Sequence, residues 1–452
     1  MKLSKKLLAT GILAAGLFAG QAYGAVSAAE AAKLGDTLTP MGAEKAGNGG
    51  EIPAWTGGMT TPPANYKGDG VYVDPFPNEK PKFTINQSNV DQYKDKLSPG
   101  QVAMIKHYSD YFLPVYETHR TAVYPKNIMD ETIANATKAE LIKGGNGLAN
   151  YQNATPFPIP QNGLEVIWNH ITRYRGGSVQ RNIAQVTPTA DGSFSVVKFQ
   201  DELTWRSYLT DYKPGDDPNV LFYFKQAITA PARLAGNVLL VHETLDQVAE
   251  PRRAWVYNAG QRRVRRAPQV AYDGPGTASD GMRTSDNLDM FNGSPDRYDW
   301  ELLGKKEMYI PYNSYKLMDP NLTYKQIVKA GHINQEYTRY ELHRVWHVRA
   351  TLKKGERHIY AQRDMYFDED TWQAAIIDHY DGRGELWRVA EAHEMEFYDQ
   401  QVPWYAIETL YDLLSGRYLA LGLTNEESKP YTFNVQHQSR DYLPAALRRA
   451  GT

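Results

Sequence analysis

Two histidines stand four residues apart in His343-Arg344-Val345-Trp346-His347. On a helix that spacing puts both rings on one face, where they can share a zinc ion, but the glutamate of the metalloprotease pattern is missing. The surrounding stretch, 338–352, is rich in β-branched and aromatic residues and predicts a strand. On a strand the two rings point the same way but sit roughly 13 Å apart, too far for one metal. Ser195-Val196-Val197-Lys198 matches S-x-x-K by letters. That chemistry needs serine and lysine on successive turns of a helix, and this stretch also predicts a strand. Asp368-Glu369-Asp370 fails the calcium-loop pattern and reads as a charged turn between strands. The segment 272–299 carries Asp273, Asp280, Asp286 and Asp289 and is the better calcium candidate, although Asp and Gly furnish ordinary surface loops too. With no G-x-S-x-G, no phosphate loop, no G-x-G-x-x-G and no cysteine, the sequence assigns no catalytic residue, no metal and no cofactor.

Two sets of residues remain. Arg252, Arg253, Arg262, Arg263, Arg265 and Arg266 make one hairpin strongly basic. Either it is a solvated hairpin paired with local carboxylates, or it docks phosphorylated lipid headgroups or an acidic partner. Arg262, Arg263, Arg265 and Arg266 are the candidates for the second role. Aromatic residues recur at alternate positions in Phe222 and Phe224 and in Trp255 and Tyr257, with Trp168 further upstream. Most buried aromatics fill cores. A strongly curved sheet, however, has a concave face that a few helices do not fill, and these five are the candidates for lining an apolar cavity there.

The elements that would position them are mainly strands. Ser27 predicts a short helix to Leu34, and residues 35–82 are a Pro/Gly-rich wrapping segment with Trp55, Tyr66, Tyr72 and Phe76 to bury. Helices are expected over 86–111, with Ser98-Pro99 as an N-cap and first position, and over 130–143. From Leu164 the period changes to two. Val166, Trp168, His170, Thr172 and Tyr174 read as one face of a strand, and Gly176-Gly177 as a hairpin turn into 178–187. Further strands are expected at 193–203, 219–228, 237–245, 253–257, 262–267, 305–312, 338–352, 357–367, 371–380, 385–398 and 406–413. Joints such as Asn258-Ala259-Gly260, Asp381-Gly382-Arg383-Gly384 and Ser415-Gly416 make sequential strands antiparallel. The fold class is therefore α+β and β-rich, a large curved antiparallel sheet with helices over its concave face. The segment 272–299 lacks periodicity, and a loop of that length is expected to be functional or mobile.

The chain has 452 residues, 42% of them apolar, and a net charge of −2, which argues against a general nucleic-acid binder. Lys2, Lys5 and Lys6 precede an apolar run from Leu7 to Ala19, too short to span a bilayer comfortably, and Ala22-Tyr23-Gly24 supplies a cleavage site before Ala25. Residues 1–24 hold three lysines and no acid, so cleavage takes the net charge from −2 to −5. The expectation is a signal peptide (1–24) and export, most simply to a bacterial periplasm, without an integral membrane segment. An N-terminal wrapping region (25–160), a sheet domain (161–430) and a C-terminal tail (431–452) complete the organisation.

The run from Ala230-Pro231-Ala232-Arg233-Leu234-Ala235-Gly236 into Asn237-Val238-Leu239-Leu240 resembles the outer-membrane lipoprotein-sorting (LolA-like) proteins, where a proline-to-glycine turn feeds an apolar strand. Trp255-Val256-Tyr257 and the paired arginines Arg262-Arg263 and Arg265-Arg266 are similar to the next hairpin of that group. Leu303-Gly304-Lys305-Lys306-Glu307-Met308-Tyr309-Ile310-Pro311, and the stretch from Arg357 through Trp387-Arg388-Val389, resemble an exported family of unknown function common in pseudomonads, DUF1329. The resemblance extends over nearly the whole mature chain. It implies a LolA-like incomplete β-barrel with helices over its mouth, carriage of lipid or lipoprotein acyl chains, and no cofactor. It assigns no binding residue, and residues 25–160 exceed the LolA length. Three functions follow as expectations: a periplasmic carrier or chaperone of a hydrophobic ligand, working with an envelope transporter; a hydrolase acting on a lipid or glycan; or a non-catalytic assembly partner of an outer-membrane protein.

Overall fold

The computed structural model describes residues 25–451 apart from 152, 216–218, 248, 268–269 and 271, so the expected signal peptide lies outside the described residues. Ser27 and Ser98 open helices as their positions predict. Ser27 caps α1 (Ala28–Ala31) and Ser98 caps α3 (Pro99–His107), each in a reciprocal capping box, with Glu30 and Gln101 respectively. The expected helix over 86–111 is broken. A single turn, α2 (Val90–Tyr93), is followed by Leu97 in extended conformation before α3 begins. The helix expected over 130–143 lies earlier, as α4 (Lys126–Asn135), because Glu140–Ile142 (β3) pairs instead with Gly147–Ala149 (β4).

The largest correction concerns Trp168. The segment read as a strand from Val166 to Tyr174 is a helix, α5 (Gly163–Thr172), started by Asn162, whose side chain accepts from the Glu165 amide. Alternation at 166, 168, 170 and 172 is real, but Ile167 and Ile171 are equally buried. A strand would turn those two to the opposite face, whereas a helix enclosed on all sides buries every position. Gly176-Gly177 is accordingly not a hairpin but a link with positive φ at both residues, where a Cβ would strike the rings of Phe433 and Tyr208.

The remaining strands are β1 (Phe83–Ile85), β2 (Leu113–Val115), β5 (Ser178–Val186), β6 (Val196–Trp205), β7 (Val220–Ala230), β8 (Val238–Thr244), β9 (Arg253–Asn258) and β10 (Arg263–Arg266). They continue with β11 (Tyr298–Pro311), β12 (Tyr340–Leu352), β13 (Gln362–Asp368), β14 (Ala374–Tyr380), β15 (Leu386–Phe397), β16 (Val402–Asp412), β17 (Tyr418–Leu423) and β18 (Tyr431–Phe433). These sixteen form one sheet in the order β1-β2-β12-β13-β14-β15-β16-β17-β5-β6-β7-β8-β9-β10, with β11 also on β12 and β18 on β5. Neighbours are antiparallel except β2 and β12. Among the described residues the two ends do not meet, so the sheet is large, β-rich and not a closed barrel. α3 packs on β14 and β15, where the Gly100 amide donates to Asp378 Oδ2 at 2.9 Å, and α5 packs on β11 and β12. The wrapping segment adheres through Met59 to Thr121, Trp55 to the Ala122 carbonyl, and Tyr66 and Tyr72 to Asp399. No helix of the described residues is long and apolar enough to cross a membrane.

Candidate functional site

Register decides which side chains meet on the β7–β9 part of the sheet. Phe222 pairs with Glu243, Phe224 with Val241, and Gln226 with Leu239, which pairs in turn with Val256. Side chains alternate faces along a strand, so these residues share one face. They line a cavity of about 180 Å³ whose opposite wall comes from the segment 270–292, with Val270, Pro275, Gly276, Thr277, Arg283 and Leu288.

That covering segment is the stretch without periodicity, and it is anchored by buried ion pairs. Asp289 is held by Arg173 at 2.6 Å and by Arg175, and the Trp404 indole donates to it at 3.1 Å. Asp286 meets Arg363 at 2.8 Å and His358 at 2.9 Å. Burial opposes both carboxylates, yet Arg173, Arg175 and Arg363 hold them well below the ordinary range. Arg388 donates to the Met282 and Gly281 carbonyls at 3.1 Å each, and the Gln185 amide to the Ala278 carbonyl at 2.8 Å. Of the calcium-candidate carboxylates in this segment, Asp286 and Asp289 are engaged by arginines rather than free to ligate a cation.

Three charged side chains line the cavity: Glu243 and Arg252, which pair with each other, and Arg283. Glu243 is fully compensated by Arg252 at 2.8 Å and by the Asn292 amide at 2.9 Å. Arg283 is 4% exposed, and among the described residues its Nε and Nη1 have no hydrogen-bond partner. Burial pushes its pKa down, with Glu408 and Asp201 acting in the opposite direction from beyond ion-pair distance. A Cβ at position 276 would lie 2.8 Å from Arg283 Nε, so Gly276 leaves the guanidinium its room.

Of the residues chosen from sequence, Phe222 and Phe224 line this cavity. Trp255 and Tyr257 point the same way as each other, but to the opposite face. There they pair with Leu240 and Val238 and pack under Tyr442 and Leu447 of the C-terminal tail. Trp168 sits on α5 in the main core, its indole donating to the Gly145 carbonyl at 2.7 Å. Arg263, Arg265 and Arg266 lie on β10, the last strand of the sheet, with Arg262 in the preceding turn. All four are exposed, and among the described residues they make no ion pair. Arg265 pairs with Val256 and so continues the cavity-side row to the sheet's edge.

The other motifs resolve as structure. Lys198 is on β6 and pairs with Glu427 at 2.7 Å, while Ser195 just precedes the strand. His343 and His347 do lie on a strand, β12, and have different partners: Glu341 at 3.0 Å and Asp364 at 3.8 Å. The Asp368-Glu369-Asp370 turn is buried rather than solvated. Donor atoms of His343, Asp368 and Asp370 come within 4.8 Å of one another. Both Asp370 oxygens already accept from Arg120, at 2.7 and 2.9 Å, and burial together with Asp370 pushes Asp368 up to about 7. The cluster is buried, and the Arg120 guanidinium balances Asp370 within it.

Leu239, Val241, Val256 and Arg283 were not identified as site residues from sequence. In β9 both parities are apolar (Ala254 and Val256 against Trp255 and Tyr257), so the strand alone does not choose its inner face. The available signal was the apolar Tyr442 and Leu447 near the C-terminus, which need a face to cover.

The model of a protein family of unknown function, DUF1329, matches residues 84–448. An uncharacterized protein of Pseudomonas aeruginosa is 67% identical over 453 residues, covering 100% of each chain. Among solved structures, the chain is similar to a putative outer membrane lipoprotein-sorting protein domain from Vibrio parahaemolyticus. The TM-score is 0.44 at 13% identity, covering 64% of this chain and 98% of that one. It is also similar to a DUF1329 family protein from Desulfovibrio piger (TM-score 0.41, 13% identity, covering 60% and 92%). A LolA superfamily protein from Nitrosomonas europaea gives a TM-score of 0.38 at 12% identity, covering 63% and 98%. The family match over most of the length and the 67% identical relative agree, and the chain belongs to the DUF1329 family.

Proposed function

We propose that the protein is an exported carrier or chaperone of a hydrophobic molecule, held between the β7–β9 face and the 270–292 cover. The observation that carries this reading is the cavity itself: Phe222, Phe224, Leu239, Val241 and Val256 form a contiguous apolar wall left unfilled beneath an anchored cover. A buried methylene contributes about 0.8 kcal/mol, so an acyl chain is the natural occupant. At about 180 Å³ the space is smaller than the roughly 300–1,000 Å³ of drug-sized sites. It takes a short chain, or the end of a longer one. Exposed Arg262, Arg263, Arg265 and Arg266 lie beside its edge, and in this reading they meet an anionic membrane surface or an envelope transporter during loading. Export to the periplasm rests on Lys2 to Gly24.

Native mass spectrometry of the protein purified from its own cell envelope, followed by lipid extraction, tests the carrier reading. The expected result is a bound species of lipid mass that Val241→Phe diminishes. Protein free of adducts, which also takes up no added fatty acid, would overturn it.

A further inference from the structure

We propose that the ligand of this cavity is an amphiphile with an anionic head, a carboxylate or a phosphate monoester, and that Arg283 is the residue that receives the head. The inference rests on the carrier reading and specifies its ligand class.

Three observations support it. First, among the described residues Arg283 Nε and Nη1 are buried and unbonded, whereas Glu243 beside it is saturated by Arg252, Gln247 and Asn292. A buried guanidinium whose Nε and Nη1 lack acceptors is costly, and an oxyanion in the cavity supplies a charge-assisted hydrogen bond to one of them. Second, the surrounding interior is short of carboxylates. Arg173 and Arg175 share the single carboxylate of Asp289, and Arg181 is matched by Asp201 at 2.8 Å. Glu408 acts on Arg283 only from beyond ion-pair distance, is engaged by the Met290 backbone and the Tyr405 hydroxyl, and is pushed up to about 7 by burial, so it offers only a partial countercharge. Third, the geometry separates head from tail. Arg283 enters from the cover, beside Gly276, while Phe222, Phe224, Leu239, Val241 and Val256 rise from the sheet opposite. A ligand charged at one end and apolar along its length matches both walls, and a wholly apolar ligand leaves the guanidinium unpaired.

The test compares four probes by calorimetry on the full mature protein: sodium octanoate, octyl phosphate, 1-octanol and inorganic phosphate. The anionic octyl compounds are expected to bind at least about tenfold more tightly than 1-octanol, the worth of one charge-assisted hydrogen bond. Whichever of octanoate and octyl phosphate binds more tightly identifies the head. Arg283→Gln should remove the advantage while leaving 1-octanol binding unchanged, and Arg283→Lys should keep part of it. Equal affinity of wild type for octanoate, octyl phosphate and 1-octanol overturns the headgroup assignment and leaves the carrier reading standing. An advantage that survives in Arg283→Gln overturns the role of Arg283. Inorganic phosphate binding as tightly as octyl phosphate shows an anion site without a chain, and also overturns the proposal. No binding by any octyl compound removes the carrier reading itself. The wild-type comparison needs no variant, so it decides the head chemistry even where Arg283→Gln fails to fold.

Discussion

Glu391 on β15 offers a quantitative check of the buried electrostatics. Its side chain is fully buried, with Oε2 accepting from the Tyr340 hydroxyl at 2.9 Å and the Tyr111 hydroxyl at 3.1 Å, and Oε1 without a partner among the described residues. His393 Nε2 lies 3.8 Å away, but burial drives His393 down to about 3, and neither of its ring nitrogens is bonded, so the two do not form an ion pair. Burial lifts Glu391 from 4.5 to about 7, against the lowering effect of the tyrosine hydroxyls. The native state therefore holds a proton that the unfolded chain has released between pH 4.5 and 7. The stabilisation is complete below pH 4.5, is lost as pH rises through that window, and is absent above it. At 1.36 kcal/mol per unit the swing is about 3 kcal/mol. Glu391→Gln keeps the shape and removes the titration. Relative to wild type, the variant should be equal or slightly less stable at pH 4.5 and gain about 3 kcal/mol by pH 8. Buried His170, His379 and His393, all held neutral, push stability the opposite way with pH, but they are common to both chains and cancel in the difference. Urea unfolding of both proteins at four pH values measures it. A difference that stays flat from pH 4.5 to 8 would refute the buried, protonated Glu391.

Asp289→Asn should cost about 3–5 kcal/mol, because it strands Arg173 and Arg175 inside the fold; calorimetric melting measures this, and a loss under 1 kcal/mol would show the cover to be held by other contacts. Trp255→Ala should destabilise by about 3 kcal/mol without changing octanoate affinity, since the ring packs under the C-terminal tail, whereas Phe224→Ala should weaken octanoate binding; urea unfolding and calorimetry separate the two, and the reverse pattern would place the site on the other face. Replacing Arg262, Arg263, Arg265 and Arg266 together by serine should leave the melting temperature nearly unchanged, because none forms an ion pair among the described residues, while reducing sedimentation with phosphatidylglycerol vesicles; unchanged sedimentation argues for a role in protecting an exposed sheet edge instead. N-terminal sequencing of envelope-purified protein should begin near Ala25, and intact Leu7 to Ala19 in a membrane fraction would sink the export reading.

What the sequence reveals follows the range of the interactions. Strands bounded by turn chemistry, such as β14 and β15 across Asp381-Gly382-Arg383-Gly384, are specified by residues near one another, and their positions are close to those expected. The caps at Ser27 and Ser98 are equally local. Trp168 shows where this stops. Its segment has apolar residues at both helical and strand periods, and only enclosure by the sheet, a long-range fact, selects the helix. The same holds at the site. The shared face of Phe222 and Phe224 follows from strand geometry alone, and so does that of Trp255 and Tyr257. Which of the two faces turns toward the cavity depends on where the tail residues Tyr442 and Leu447 settle, roughly two hundred residues downstream. The cover is the extreme case. Its Asp-rich sequence looks like a solvated or ion-binding loop because the arginines that claim Asp286 and Asp289 come from the α5–β5 link and β13. A carboxylate's partner is invisible until the chain has folded around it, and for the same reason nothing in the sequence singles out Arg283. In the fold it is a buried cation facing an apolar wall, which is why the ligand's charge can be inferred from the structure and not from the sequence.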